Sequence, residues 1–474
     1  MEACTADEAI HRREAQLRAW FVRDCDPVQR VIDGLDVGWD GRCLQVSLQD
    51  WLRHQLKRLL MDDRPLALVR QVPSLEGRFR DLDAVGLYLH VPFCRQICPY
   101  CPYNKEFYDT ETARHYADAV KVEIDRYAQW IGDLPVTSFY IGGGTPTTML
   151  DSGLAEILEH VYRRFNMQCG VHMESHPNDL SARNLSTIAA MGIEYLSIGV
   201  EALQDRHLKA LHRPYTVEQV QAAVERAVGQ GFRCVNVDTI FALPDQRNDE
   251  VRQTGHTLVE MGVDQIAAYP LFRFPYTRWS QADGRGRRSE SSLLARRRML
   301  GILERIFYDA GFERTSVWAF TRAGTEKYCS VTVPLYLGLG ASGGSYLKDV
   351  FYLNTFHVGE YIRAIEAGRM PVALSIELTA EMQMAGWLYW RIYETRFRRS
   401  DFEHRFGQEL DQVHGRYIKL LSLIGWLEDD GDELVLSDDG IYWLHVLQDL
   451  FSIQYVSTLW GTAQQEPWPE KVLL

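Results

Sequence analysis

Three cysteines stand close together in Cys94-Arg-Gln-Ile-Cys98-Pro-Tyr-Cys101. Thiolates at this density bind soft metals, as zinc sites or iron–sulfur clusters. A [4Fe–4S] cluster usually takes four thiolates, so a three-cysteine site leaves one iron open to an exogenous ligand. An incomplete zinc site or a patch of free thiols is the plainer alternative. The motif lies directly after a β-rich run, and that placement favours the cluster. Gly142, Gly143 and Gly144 follow a second such run. Glycine there either makes a tight turn or lets backbone polar groups come close to a ligand.

These residues need a scaffold. Six short apolar runs recur, starting at Gly86, Val136, Gly170, Glu194, Arg233 and Asp264, with helical patterns such as His115–Ile131 and Val217–Val228 between them. Strands alternating with helices build a parallel sheet. Six units predict an α/β fold, an open partial (β/α)6 barrel rather than the closed eightfold one. Asp50–Asp63 reads as an amphipathic helix ahead of the core. The segment from Ile418 to Leu444 reads as helix, hairpin and helix, a winged-helix-like outline in a mostly helical C-terminal region. The expected divisions are 1–80, a helical extension; 81–345, the partial barrel with flanking elements; and 346–474, a cover domain.

Composition narrows the class. Of 474 residues, 46% are hydrophobic and 24% charged, with a net charge of −13, which argues against a nucleic-acid binder. No apolar run is long enough for a bilayer, and the polar start MEACTADEAIHRRE lacks a signal-peptide core. Nine cysteines, an odd number with three clustered, point to a reducing, cytoplasmic setting. Trp387-Leu-Tyr-Trp390 is expected in a helix core. The basic run of Arg285, Arg287, Arg288, Arg296, Arg297 and Arg298 is expected to be a solvated loop and helix face, or else a contact for an electron donor or an acidic substrate group. Cys329 reads as a buried free thiol.

The strings YLHVPFCRQICPYC, FYIGGGTPTTM, ESHP, YLSIGVEALQDRHLKALHRPY and NVDTIFALPDQ, in this order, resemble the radical S-adenosylmethionine (SAM) superfamily. The match is nearest to its HemN-like group, named for oxygen-independent coproporphyrinogen III dehydrogenase. It covers about residues 86–275, and 325–460 more weakly. The resemblance implies a [4Fe–4S] cluster on Cys94, Cys98 and Cys101, whose open iron is chelated by SAM. One-electron cleavage of the sulfonium would then yield a 5′-deoxyadenosyl radical. Tyr88 resembles the family tyrosine beside the sulfonium, Gly142–Gly144 the motif that accepts the SAM amino-carboxylate end, and Glu174 the SAM-binding glutamate. A strand-end ion pair is the alternative for Glu174.

HemN-like proteins are also known for a second SAM. Its positions map onto Tyr100, Thr145, Glu201, Arg213 and Asp238, or else these form a hydrogen-bond network at the barrel mouth. Tyr100 replaces the more usual Phe, and Glu201 the Gln of the coproporphyrinogen enzymes. Tyr103 stands where those enzymes carry a fourth cysteine, and the HNxxYW element of the haem chaperones is missing from the segment Tyr328–Tyr336. The leading expectation is therefore methyl or methylene transfer to an unsaturated carbon of a small aromatic or heteroaromatic substrate. In that chemistry the radical takes hydrogen from the methyl group of the second SAM, and the methylene radical adds to the substrate. Tetrapyrrole chemistry, either coproporphyrinogen III oxidation or the haem methylation and ring opening of HutW/ChuW-type proteins, is the alternative. A haem chaperone without turnover is the third reading. Implied partners are a flavodoxin or ferredoxin electron donor and a partner methyltransferase, with no nucleic acid or membrane.

Overall fold

The computed structural model describes residues 66–282, 291–328 and 334–474. The Asp50–Asp63 helix expectation, Arg285, Arg287 and Arg288, and Cys329 lie outside them. All six anticipated runs are strands: β1 (Val85–Val91), β2 (Pro135–Gly143), β3 (Val171–Ser175), β4 (Ile193–Glu201), β5 (Cys234–Phe241) and β6 (Gln265–Pro270). They lie side by side in that order and every neighbouring pair is parallel.

Helices α1 (Thr110–Ile131), α2 (Leu154–Arg164), α3 (Ala182–Ala190), α4 (Val217–Val228) and α5 (Asn248–Glu260) connect these strands. Their starts are set by local chemistry. Asp109 accepts from the Thr112 amide and Ser181 from the Asn184 amide, while Thr216 and Gln219 form a reciprocal capping box. Each helix buries an apolar stripe; in α2 it is Leu154, Ile157, Leu158 and Val161.

Alternate residues of the strands face the other way. Tyr88, Glu174, Glu201 and Asp238 keep some exposure, whereas their strand neighbours Leu87, Met173, Val200 and Val237 are buried. This polar inner face, framed by an apolar outer one, is the open half-barrel expected from the sequence.

The sheet continues at both edges. Antiparallel strands Ala319–Arg322 and Phe312–Arg314 follow β6. Beside β1, Tyr336–Leu339 pairs in parallel, followed by Gly344–Leu347, Val350–Asn354, Val372–Glu377, Ala67–Val69 and Lys471–Leu473. The strand Gly344–Leu347, which contains the expected 345/346 boundary, is hydrogen-bonded on both sides.

Two compact units result, one described from residue 66 to 396 with 441–474, the other over Phe397–Gly440. In the second, helix Leu410–Leu423 leads into the hairpin Leu427–Asp430 and Glu433–Leu436; the next helix along the chain, Asp438–Gln465, starts there and lies mostly in the first unit. This is the helix, hairpin and helix read from the sequence. Arg399 ties the small unit together, reaching Asp411 at 2.6 Å and Asp429 at 2.8 Å. Among the described residues no helix is long and apolar enough to cross a membrane.

Candidate functional site

The cysteine loop leaves the C-terminal end of β1. Cys94 is buried, in the short strand Phe93–Cys94, and Cys98 and Cys101 are half-buried. The Thr145 hydroxyl donates to Cys94 Sγ at 3.4 Å, so Thr145 sits against the first thiol. The loop is stiffened from outside: Lys105 Nζ donates to the carbonyls of Cys101 (2.7 Å) and Tyr103 (2.8 Å). Gln96 donates to the His212 carbonyl at 2.6 Å and fastens the loop to the segment that carries Arg213.

Burial pushes the Cys94 thiol up to about 12 and raises Cys101 as well. Such thiols become ligands when a metal displaces their protons. Among the described residues no three His, Cys, Asp or Glu side chains gather closely enough to hold a single ion. The thiolates of a cluster each take a different iron, so three thiols in one loop need not converge on one point to hold it. The donor set, three thiols in one loop with no oxygen or imidazole ligand among them, also fits a cluster.

The glycine run packs against this loop. The Gly144 and Thr145 amides donate to the carbonyls of Val91 (2.7 Å) and Phe93 (2.8 Å). A Cβ on Gly144 would lie 2.8 Å from both carbonyl oxygens. Gly143 has φ of +115°, and a Cβ there would stand 2.4 Å from the His90 ring. Its amide donates to Glu174 at 3.0 Å. Glycine is therefore required here by close approach within the protein, in addition to any ligand.

Two polar groups stand on the inner face. The first contains Tyr88, His90, Tyr140 and Glu174. The Tyr140 hydroxyl donates to Glu174 at 2.5 Å, and burial raises the Glu174 carboxyl above its usual range. His90 is buried, and burial lowers its pKa to about 4, so its ring is neutral. Its Nε2 faces the Asn104 carbonyl at 3.0 Å, which can only accept. Nδ1 is thereby left to accept from the Tyr88 hydroxyl at 2.8 Å. Sequence reasoning missed His90 and Tyr140. The period-two alternation that places them on the face of Tyr88 and Gly142 was the available signal.

The second group contains Tyr100, Glu201, Arg213, Tyr215 and Asp238. Arg213 pairs with Glu201, and its guanidinium lies 6.0 Å from the Tyr100 ring and 5.9 Å from the Tyr215 ring. Glu201, the last residue of β4, has φ of +66°. A non-glycine residue held in that region costs about 1–3 kcal/mol and is typical of functional sites. Asp238 accepts from Ser197 (2.7 Å) and Asn236 (3.1 Å), and burial raises it to about 7. Neither Glu174 nor Asp238 has a basic side chain within ion-pair distance among the described residues. Tyr100 Oη and Arg213 Nε are buried without hydrogen-bond partners. Buried polar atoms left unpaired are a cost that a polar ligand would relieve.

A buried carboxylate braces the site from behind. Glu123 accepts from the Gly340 amide (2.8 Å), Asn354 (2.8 Å) and the Tyr361 hydroxyl (2.6 Å). The neighbouring Tyr116 hydroxyl donates to the His90 carbonyl (2.7 Å) and accepts from the Ala341 amide (2.9 Å). Burial raises Glu123 to about 7 from 4.5. The folded state therefore holds this proton more tightly than the unfolded chain. Its contribution to stability is complete below pH 4.5 and lost as pH rises through 7. Urea unfolding at pH 5 and pH 8 should show a loss on the order of 3 kcal/mol from this group. Glu123→Gln should flatten that slope, and an unchanged slope would contradict the assignment.

Among the described residues of the basic run, Arg298 is exposed, Arg296 is half-buried, and Arg297 departs furthest from expectation. Arg297 is not a solvated residue; it pairs with the buried Glu304 at 2.8 Å, because α6 (Leu293–Asp309) turns that side toward the core. Trp387 is buried, as expected.

Residues 88–258 match the model of the radical SAM superfamily. The chain is 25% identical to the haem chaperone HemW of Bacillus subtilis, over 74% of this chain and 95% of that protein. It is 25% identical to the oxygen-independent coproporphyrinogen III oxidase of Bradyrhizobium diazoefficiens, over 75% and 84%. The solved structure of coproporphyrinogen III oxidase (HemN) from Escherichia coli shares the fold, with a TM-score of 0.70 at 20% identity, covering 81% of this chain and 94% of that one. Superfamily members use a [4Fe–4S] cluster and SAM. With the cysteine loop, the polar inner face and these likenesses together, residues 88–258 form a radical SAM domain, and the chain as a whole is similar to the HemN-like group of that superfamily.

Proposed function

We propose that this chain is a radical SAM enzyme that transfers a methyl or methylene group to an unsaturated carbon of a small aromatic or heteroaromatic substrate, with a second SAM as the carbon donor. In this reading Cys94, Cys98 and Cys101 hold the cluster. With SAM bound, the cluster supplies a 5′-deoxyadenosyl radical. Tyr88, aimed by His90, lies beside the first SAM, and Glu174 accepts from its amine or hydroxyl groups. The glycine run brings that ligand close to the loop.

The second polar group is the observation that carries the two-SAM reading. Tyr100 Oη and Arg213 Nε lack partners, and Asp238 has only neutral ones. Arg213 would hold a carboxylate, Asp238 an amine or ribose hydroxyl, and Glu201 would fix the Arg213 fork. Thr145, on Cys94, belongs at the border of the two sites. A flavodoxin or ferredoxin would deliver the electron, and a methyltransferase is a further partner of this reading.

Equilibrium dialysis of reconstituted protein should find two SAM per chain, and Asp238→Ala should reduce this to one. One SAM in the unmodified protein would contradict the proposal. A second reading, tetrapyrrole chemistry, is favoured by the names of the relatives, a haem chaperone and coproporphyrinogen oxidases. Haem titration separates methyl transfer from the two haem-linked readings, tetrapyrrole chemistry and the haem chaperone; tight stoichiometric haem binding without SAM consumption would favour the chaperone.

A further inference from the structure

A cavity of about 340 Å³ lies against the cysteine loop, touching Cys98 and Cys101. Its far wall comes from segments distant in sequence, Tyr276–Arg278, Phe356–His357 and Gln464. These walls are bonded to the loop. Asn104 donates to the Phe356 carbonyl at 2.6 Å, and Tyr276 (3.0 Å) and Gln464 (3.4 Å) donate to the Pro102 carbonyl.

Two features of the lining point to a ligand class. The first is aromatic. Tyr103 keeps 48% of its surface exposed, and its ring lies 6.0 Å from Trp460, which is 6.3 Å from Phe356. The second is basic. Arg278 is exposed and has no hydrogen-bond or ion-pair partner among the described residues. Lys105 spends two donors on loop carbonyls and has a third to offer. The one acid in the lining, Glu106, accepts from the Val358 amide at 3.3 Å, at the start of a helix that already favours its charge. Away from the cysteines, the lining is thus locally positive in a chain of net charge −13.

We propose that this cavity is the substrate subsite, and that it takes a one- or two-ring aromatic carboxylate, with the ring against Tyr103 and the carboxylate on Arg278 and Lys105. The inference rests on the reading that the adjoining loop holds the cluster. Size supports the small substrate: about 340 Å³ is at the low end of the roughly 300–1,000 Å³ of ligand pockets. Tyr103 replaces the fourth cysteine of the coproporphyrinogen enzymes, so a flat contact surface stands where those carry a thiol.

Isothermal titration of reconstituted protein with three probes tests this. Quinaldate has ring and carboxylate, quinoline the ring alone, and cyclohexanecarboxylate the carboxylate alone. Quinaldate should bind at least about tenfold more tightly than either, as expected for one charge-assisted bond or one stacking contact. Arg278→Gln should erase its advantage over quinoline, and Tyr103→Ala its advantage over cyclohexanecarboxylate, with iron content unchanged in both. Equal binding of the three probes, or no binding, would overturn the proposal. Tighter binding of coproporphyrin III with the same dependence on Arg278 would overturn the size assignment. Failure of the unmodified protein to load iron is a separate result, and it contradicts the cluster reading instead.

Discussion

Cys94→Ala, Cys98→Ala and Cys101→Ala are each expected to abolish cluster assembly and all SAM cleavage. Anaerobic reconstitution of the unmodified chain should give about four irons and four sulfides, and each variant a small fraction of that. The expectation follows from geometry: the three thiols share one loop, and the polar groups around them include no further soft ligand among the described residues. Cys169→Ala and Cys234→Ala should keep the cluster. Cys234 is fully buried on β5 and Cys169 precedes β3, and neither belongs to the loop. Stoichiometric zinc without cluster absorption, under strictly anaerobic preparation, would contradict this account.

Arg213→Ala should have the next largest effect, and by two routes. The Arg213 and Glu201 side chains are 10% and 13% exposed, so the variant leaves a carboxylate almost buried and uncompensated. Breaking such a pair costs about 3 kcal/mol. It should also reduce SAM binding from two equivalents to one. The double variant Arg213→Met, Glu201→Gln separates these effects. It should regain stability, because no charge remains unpaired, while still binding one SAM. Restoration of the second SAM in the double variant would show that Arg213 acts only on stability.

Much of this was legible in sequence because it is local. The six strands are short β-rich apolar runs, and the cysteine spacing needs no tertiary context. The strand-end placement of Glu174 followed from the same runs. Other features depend on contacts between distant segments. Nothing near Tyr336 shows that it pairs beside β1, and the three-residue strands Ala67–Val69 and Lys471–Leu473 are too short to carry a periodic signal. His90 reads as one histidine in a strand until Asn104 and Tyr88 are seen on its two nitrogens. The left-handed backbone of Glu201 is stabilised by context, and glutamate has no intrinsic preference for it. Arg297 resembles the exposed Arg298 in sequence, and only the packing of α6 turns it toward Glu304.

The central claim is that a second SAM lies within reach of the adenosyl radical. Turnover with methyl-deuterated SAM tests it most directly, by mass analysis of the 5′-deoxyadenosine formed. Deuterium should appear in that product, and Arg213→Ala or Asp238→Ala should reduce the transfer more than it reduces SAM cleavage. Deuterium-free 5′-deoxyadenosine, formed alongside productive turnover of the true substrate, would contradict the claim and indicate direct hydrogen abstraction from the substrate.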